Sequence, residues 1–153
     1  MLKIGEKYLF QDSWEGRRSC LMFSKDDDAT SWSVDIGFMP GDLNGEEIAP
    51  SLCINSIDTD KNSVEELTGE TFSVTTIEES ADREDAFYIY EWEPMVSYDL
   101  EVVEITDSKA HVRCKGVLIL DGYTNPYIEE KFEIDSWIPV IESVIDWEKF
   151  ETH

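Results

Sequence analysis

The sequence predicts a mainly β (α+β) protein: a twisted antiparallel sheet, sandwich or partly open barrel of about eight or nine short strands with a C-terminal helix. Three observations carry that prediction. Runs rich in Val, Ile, Tyr, Phe and Trp recur at short spacing, bounded by Gly, Asp, Asn and Pro. Apolar and polar residues alternate along several of them, as a half-buried strand requires. Helical periodicity is nearly confined to the end of the chain, too little for helical crossovers between parallel strands. At 153 residues, with 41% hydrophobic content and five Trp, six Tyr and seven Phe, residues 1–153 can bury one core as a single globular domain.

The predicted strands are Lys7–Gln11, Arg17–Ser24, Ser31–Phe38, Ser51–Ile57, Thr71–Ile77, Ala86–Glu93, Ser97–Thr106, Ala110–Asp121 and Ile128–Ile134. Between the fourth and fifth, Ser63 and Glu66 have capping-box spacing for a single helical turn, which Gly69 would stop. Tyr98, Leu100 and Val102 share one strand face, with Asp99 and Glu101 on the other. Val103 and Ile105 then break the alternation, which predicts a bulge near Val102–Val103. Asp107-Ser108-Lys109 predicts a hairpin to a strand whose inner face is Val112, Cys114, Gly116, Leu118 and Leu120. Asp121-Gly122 and Asn125-Pro126 mark turns. Ser136 is the expected cap of the C-terminal helix, with Ile138, Ile141, Val144, Ile145 and Phe150 near helical spacing and Pro139 in the first turn. The competing reading continues the strand through Trp137 and Ile138.

Charge is the unusual feature. Asp and Glu number 35 against 12 Lys and Arg, a net charge of −23. That field repels nucleic acid, so DNA or RNA binding is not expected, and it attracts basic proteins and speeds encounter with them. The same charge also serves solubility alone, which is the plainer explanation. The N-terminus lacks the long apolar core of a signal peptide, and no apolar run approaches the roughly 18 residues of a membrane span, so a soluble cytoplasmic protein without membrane contact is expected. Cys20, Cys53 and Cys114 are odd in number and widely spaced, against a disulfide framework or zinc site.

No constellation points to chemistry. His111 and Cys114 fall on opposite faces of a strand, and His153 is the final residue. Neither a phosphate-binding glycine loop nor a nucleophile elbow occurs. Asp58, Asp60 and Asn62 resemble the opening of a calcium loop, but Ser63 stands where glycine is needed and Gly69 where glutamate is. No catalytic residue, metal or cofactor is therefore expected.

Residues 78–107 hold eleven acids and one base, Arg83, among many aromatic residues. A continuous strand over 86–93 puts Phe87, Ile89, Glu91 and Glu93 on one face and Tyr88, Tyr90 and Trp92 on the other. With the Tyr and Trp side chains inward, the outer face combines apolar anchors with carboxylates, and Asp99 and Glu101 extend it. The expected partner-binding residues are Phe87, Ile89, Glu91, Glu93, Asp99 and Glu101. The expected function is inhibition by direct binding: an immunity protein or antitoxin, monomeric when free, neutralising a basic toxin such as a nuclease, whose cleft must be basic to hold a polyanion. The alternatives are a housekeeping binding module or assembly subunit without catalytic activity, and a carboxylate- or metal-using enzyme.

Overall fold

A computed structural model describes residues 1–13, 19–25, 29–123 and 126–142. The chain is mostly β, and its main sheet curls into a half-barrel. The strands are β1 (Leu2–Ile4), β2 (Tyr8–Phe10), β3 (Cys20–Lys25), β4 (Thr30–Gly37), β5 (Gly41–Leu43), β6 (Glu46–Ile48), β7 (Ser51–Asp58), β8 (Thr71–Val74), β9 (Ala86–Tyr88), β10 (Trp92–Glu93), β11 (Ser97–Thr106), β12 (Lys109–Asp121) and β13 (Ile128–Ile141). The sheet runs β10-β9-β7-β4-β3-β13-β12-β11-β8, with β1 added to β13 and β2 to β1. β5 and β6 form a separate hairpin, whose Asn44-Gly45 turn has both residues at positive φ.

The core lies on the inner face. Alternate residues supply it: Leu21 and Phe23 from β3, Val34 and Ile36 from β4, Leu52 and Ile54 from β7, Tyr98, Leu100 and Val102 from β11, and Val112, Cys114 and Leu118 from β12. The register of β11 on β12 jumps between Val102 and Glu104, so Val103 is the extra residue of a bulge at the expected place. Asp107 and Ser108 take φ of 51° and 62°, the doubly left-handed geometry of a two-residue hairpin turn. Gly116 is required where β11 crosses β12, because a Cβ there would stand 2.1 Å from the Ser97 carbonyl oxygen.

β13 corrects the C-terminal expectation. It continues as a strand through Trp137 and Pro139 to Ile141, so no helix begins at Ser136. Phe132, Ile134, Ser136, Ile138 and Val140 point inward with a period of two. Ser136 hid that pattern by placing a hydroxyl at a buried position, where it donates to Asp12 Oδ1 at 2.7 Å. Pro139 is tolerated because Val140 N–H faces β12, donating to the Ser108 carbonyl at 2.9 Å. The Pro139 nitrogen therefore faces the other way, where the parallel ladder to β3 starts only at Val140. The rest of the expected helix, the first residues of the strand expected from Arg17 and Asn125 of the last turn lie outside the described residues.

Two helical pieces lie between β7 and β9. Val64–Leu67 is the expected single turn, of 3-10 type; the Glu66 carboxylate accepts from Asn62 N–H at 2.7 Å, and Ser63 makes no side-chain cap. The second piece, α1 (Ile77–Arg83), replaces the end of the predicted strand Thr71–Ile77. Thr76 caps it, its Oγ1 accepting from Glu79 N–H at 3.1 Å, while the Glu79 carboxylate reaches back to Thr75 N–H. Behind α1 a buried polar clasp ties β7 to β11. Asp85 accepts from Asn55 N–H at 2.8 Å, from Arg83 Nε at 2.7 Å and from the Tyr98 hydroxyl. Arg83 donates onward to the Asn55 and Ser56 carbonyls and lies over the Phe72 ring. Ser80 Oγ donates to the Asp85 carbonyl and accepts from Met95 N–H. Burial first, then the bond to Asp85, pushes the Tyr98 phenol far above its ordinary range, so it remains a donor.

Candidate protein-binding site

Residues 86–93 form a tight hairpin instead of one strand. β9 and β10 pair Tyr88 with Trp92 and Phe87 with Glu93, and residues 89–91 make the turn. The odd-numbered and even-numbered residues do separate, but the inward side is the opposite of the one expected. Phe87 and Ile89 are buried, Phe87 packing edge-on against Phe132 with centroids 5.1 Å apart. They cannot meet a partner. The wholly apolar side chains took the core, and the aromatics with polar tips took the surface.

What the hairpin exposes is therefore aromatic. Trp92 is 55% exposed and Tyr90 40%, and Tyr88 lies beside Trp92 at 5.5 Å between ring centroids. Tyr123, just past the end of β12, is 78% exposed, yet it is held in place by its hydroxyl, which donates to Glu91 Oε2 at 2.7 Å. Its backbone N–H donates to Asp121 Oδ1 at 2.9 Å, fixing the turn that carries it. Tyr127 and Ile128 are also exposed, at the start of β13.

Carboxylates stand beside Tyr90 and Tyr123. Glu91 and Glu93 hydrogen-bond to each other. That bond, followed by burial and the charges of Glu91 and Asp121, raises the Glu93 carboxyl to about 6. The bonds from Glu93 and Tyr123 hold Glu91 below its usual value. Burial, then the charges of Glu46 and Asp121, raise the Tyr90 phenol. The pair sits at a shallow dimple lined by Ile89, Tyr90, Ile119, Asp121, Gly122 and Tyr123. Gly122 admits Glu93 there, since a Cβ at that position would lie 2.4 Å from Glu93 Oε1.

Asp99 and Glu101 lie elsewhere. They point outward from β11 as expected, lining a groove of about 780 Å³ on the outer sheet face with Ser73, Arg113, Glu133 and Asp135. Charge alternates across that face: Asp99 is opposite Lys115, which is opposite Glu133, which is opposite Lys3. Glu101, Arg113 and Asp135 repeat the alternation one row away. These two acids thus sit beside bases, and Asp99 also accepts from Ser73 Oγ at 2.5 Å. The six residues expected to form one face therefore divide into a buried pair, a hairpin pair and an outer-groove pair.

His111 points outward from β12 and Cys114 inward, as expected. His111 stacks on Trp137 at 4.9 Å and bonds Asp135 Oδ1 through Nε2 at 2.6 Å; Arg113 Nε donates to Asp135 Oδ2 at 3.1 Å. Burial would raise Asp135, but those two bonds outweigh it and hold the carboxyl below its ordinary value. Burial lifts the Cys20 and Cys53 thiols to about 12 and Cys114 higher still, so none is a ready nucleophile. Among the described residues no helix is long and apolar enough to cross a membrane.

The sequence signal that finds the hairpin surface is the run Tyr88, Tyr90, Trp92 read as an outer face; the involvement of Tyr123 depends on a contact that no local pattern encodes. Comparison with protein-family models, with curated proteins and with solved structures finds no match.

Proposed function

We propose that this chain is a protein-binding inhibitor of the immunity-protein or antitoxin type, neutralising a basic partner such as a toxin nuclease domain by direct docking. The observation that carries the reading is the pair of exposed rings, Tyr90 and Tyr123, that line one dimple with Glu91, Glu93 and Asp121, with the exposed Trp92 on the other side of the same hairpin. Exposed aromatics on one hairpin and its neighbouring turn are the residue types that dominate docking energies. The acids around them, within a molecule of net charge −23, favour a cationic partner and speed its approach. A nuclease domain, basic in order to bind polyanion, has that chemistry.

The test is an activity titration. Where a basic nuclease domain is found encoded beside this chain, its activity is assayed with increasing protein, at low and high salt. Stoichiometric loss of activity is expected, with slower association as salt rises and weaker inhibition by a Trp92→Ala/Tyr123→Ala double variant. Inhibition untouched by both salt and the double variant would remove the basis of the proposal.

A further inference from the structure

The outer sheet face fits a second copy of this chain. We propose that the charge stripes on β11, β12, β13 and β1 form a weak contact with two-fold symmetry between two copies. Side chains leave this face in columns, one per strand. β11 presents Asp99 and Glu101, β12 presents Arg113 and Lys115, β13 presents Glu133 and Asp135, and β1 presents Lys3. The register sets these residues in rows, so the sign runs acid, base, acid, base across four neighbouring strands. A half-turn about an axis along the strands, midway between β12 and β13, reverses that order. Laid face to face, the second copy then reads base, acid, base, acid, and each stripe meets its opposite. Lys115 meets Glu133 of the second copy, and Asp99 meets its Lys3. Arg113 and Asp135, bonded within the chain at 3.1 Å, meet the same pair reversed. One row further on, the stacked His111 and Trp137 meet their own counterparts, and Trp137, 45% exposed, gives the contact an apolar part.

The charges themselves favour a second copy over another occupant. Among the described residues Glu101, Lys115 and Glu133 make no ion pair, although Lys115 has an acid beside it on both neighbouring strands. The columns hold four acids and three bases, a net of −1, on a chain of net charge −23. Two such molecules repel as wholes, and on this face that repulsion nearly vanishes. The stripes repeat at the strand spacing of about 4.8 Å, which a copy of the same sheet reproduces by construction. From strand and residue spacings the face measures roughly 20 by 20 Å, or about 800 Å² over both copies. That is well short of the roughly 1,200–2,000 Å² of stable complexes, so the contact is transient and the chain is monomeric when dilute. The groove of about 780 Å³ on this face gives the long Lys, Arg and Glu side chains of two copies room to interleave, with water among them. Twisted sheets packed face to face cross at about 30°, so the stripes match best beside the axis, at Lys115–Glu133 and Arg113–Asp135.

Sedimentation equilibrium follows the full chain from about 10 µM to about 1 mM in about 150 mM salt, where a Debye length of about 8 Å screens the overall repulsion but not charges in contact. The average mass should rise from monomer towards dimer. Lys115→Glu and Glu133→Lys should each weaken association about tenfold or more, since each sets like charges together at two symmetric places. Both positions are exposed, and circular dichroism checks that the variants fold. An equimolar mixture of the two variants should associate nearly as well as the parent, because each supplies the charge that the other lacks. Asp82→Lys on α1 changes the net charge by as much as Glu133→Lys and should leave association no weaker. A parent that stays monomeric over the whole range would overturn the contact. So would single variants that associate like the parent, or a mixture no tighter than either variant alone. None of these results touches the inhibitor reading, which rests on the Tyr90–Trp92 hairpin and Tyr123.

Discussion

Replacing Asp85 with alanine removes the acceptor on which three donors converge: Asn55 N–H, Arg83 Nε and the Tyr98 hydroxyl. Asp85 is 1% exposed and so is Tyr98, so water does not readily take the carboxylate's place. Arg83 keeps its bonds to the Asn55 and Ser56 carbonyls, but its charge loses its counter-ion. Breaking a buried pair by removing one partner costs about 3–5 kcal/mol. A domain of this size loses about 2–4 °C in Tm for each kcal/mol, so the variant should melt about 6–20 °C lower. Asp85→Asn keeps an acceptor for Asn55 and should cost about 1–3 kcal/mol. Arg83→Met combined with Asp85→Ala should cost less than the sum of the two single changes, because the second removes the charge that the first strands. Thermal unfolding followed by far-ultraviolet circular dichroism measures all of these. An Asp85→Ala variant that melts within about 3 °C of the parent, far less than the conversion above predicts, would refute the view that this clasp ties β7 to β11.

Gly116→Ala puts a methyl 2.1 Å from the Ser97 carbonyl and 2.7 Å from Tyr98 Cα, both backbone atoms. β11 must shift, at a cost of about 1–3 kcal/mol or more, read from denaturant unfolding midpoints. For pH, Glu93 is raised in the folded state. Its contribution to stability is therefore fully present below its ordinary value and is lost as pH rises towards about 6. Asp135 is depressed, so its contribution is present above the ordinary aspartate range and is lost as pH falls below it. Melting temperature should thus decline slightly as pH rises from the glutamate range to about 6; Asp35, raised by burial, acts in the same direction, so Glu93→Gln should reduce that decline.

Where the chain's local chemistry determined structure, the sequence was readable. Two adjacent apolar residues after a clean alternation located the Val103 bulge, and a short polar break located the Asp107-Ser108 turn. The Thr76–Glu79 capping box was equally present, but the β-branched run before it reads as strand and masks the start of α1. Ser136 interrupts the apolar face of β13, and a buried serine cannot be told from a helix cap until its partner Asp12 is known. The hairpin surface was half legible. Periodicity separated Phe87 and Ile89 from Tyr88, Tyr90 and Trp92, but which set faces inward is decided by Phe132, more than forty positions along the chain. The remoteness of Asp99 and Glu101 from Glu91 and Glu93 follows from sheet order, which strand patterns do not encode.

β13 has a consequence for the order of assembly. One edge of this long strand receives β1 at its start and β3 at its end, while the other edge receives β12. Leu2 pairs with Ile134 and Leu21 with Val140, partners about 120–130 residues apart. During synthesis β1 and β3 must wait, with one edge unpaired, until almost all of the described chain has emerged. The β11–β12 hairpin can form by itself and pair with β8, but no ladder joins it to β1–β4 without this late strand. Folding should therefore be slow for the chain's size and governed by long-range pairing. A chain stalled before residue 128 would expose β1 and β3 as open edges, with the acidic surface as its main protection against association.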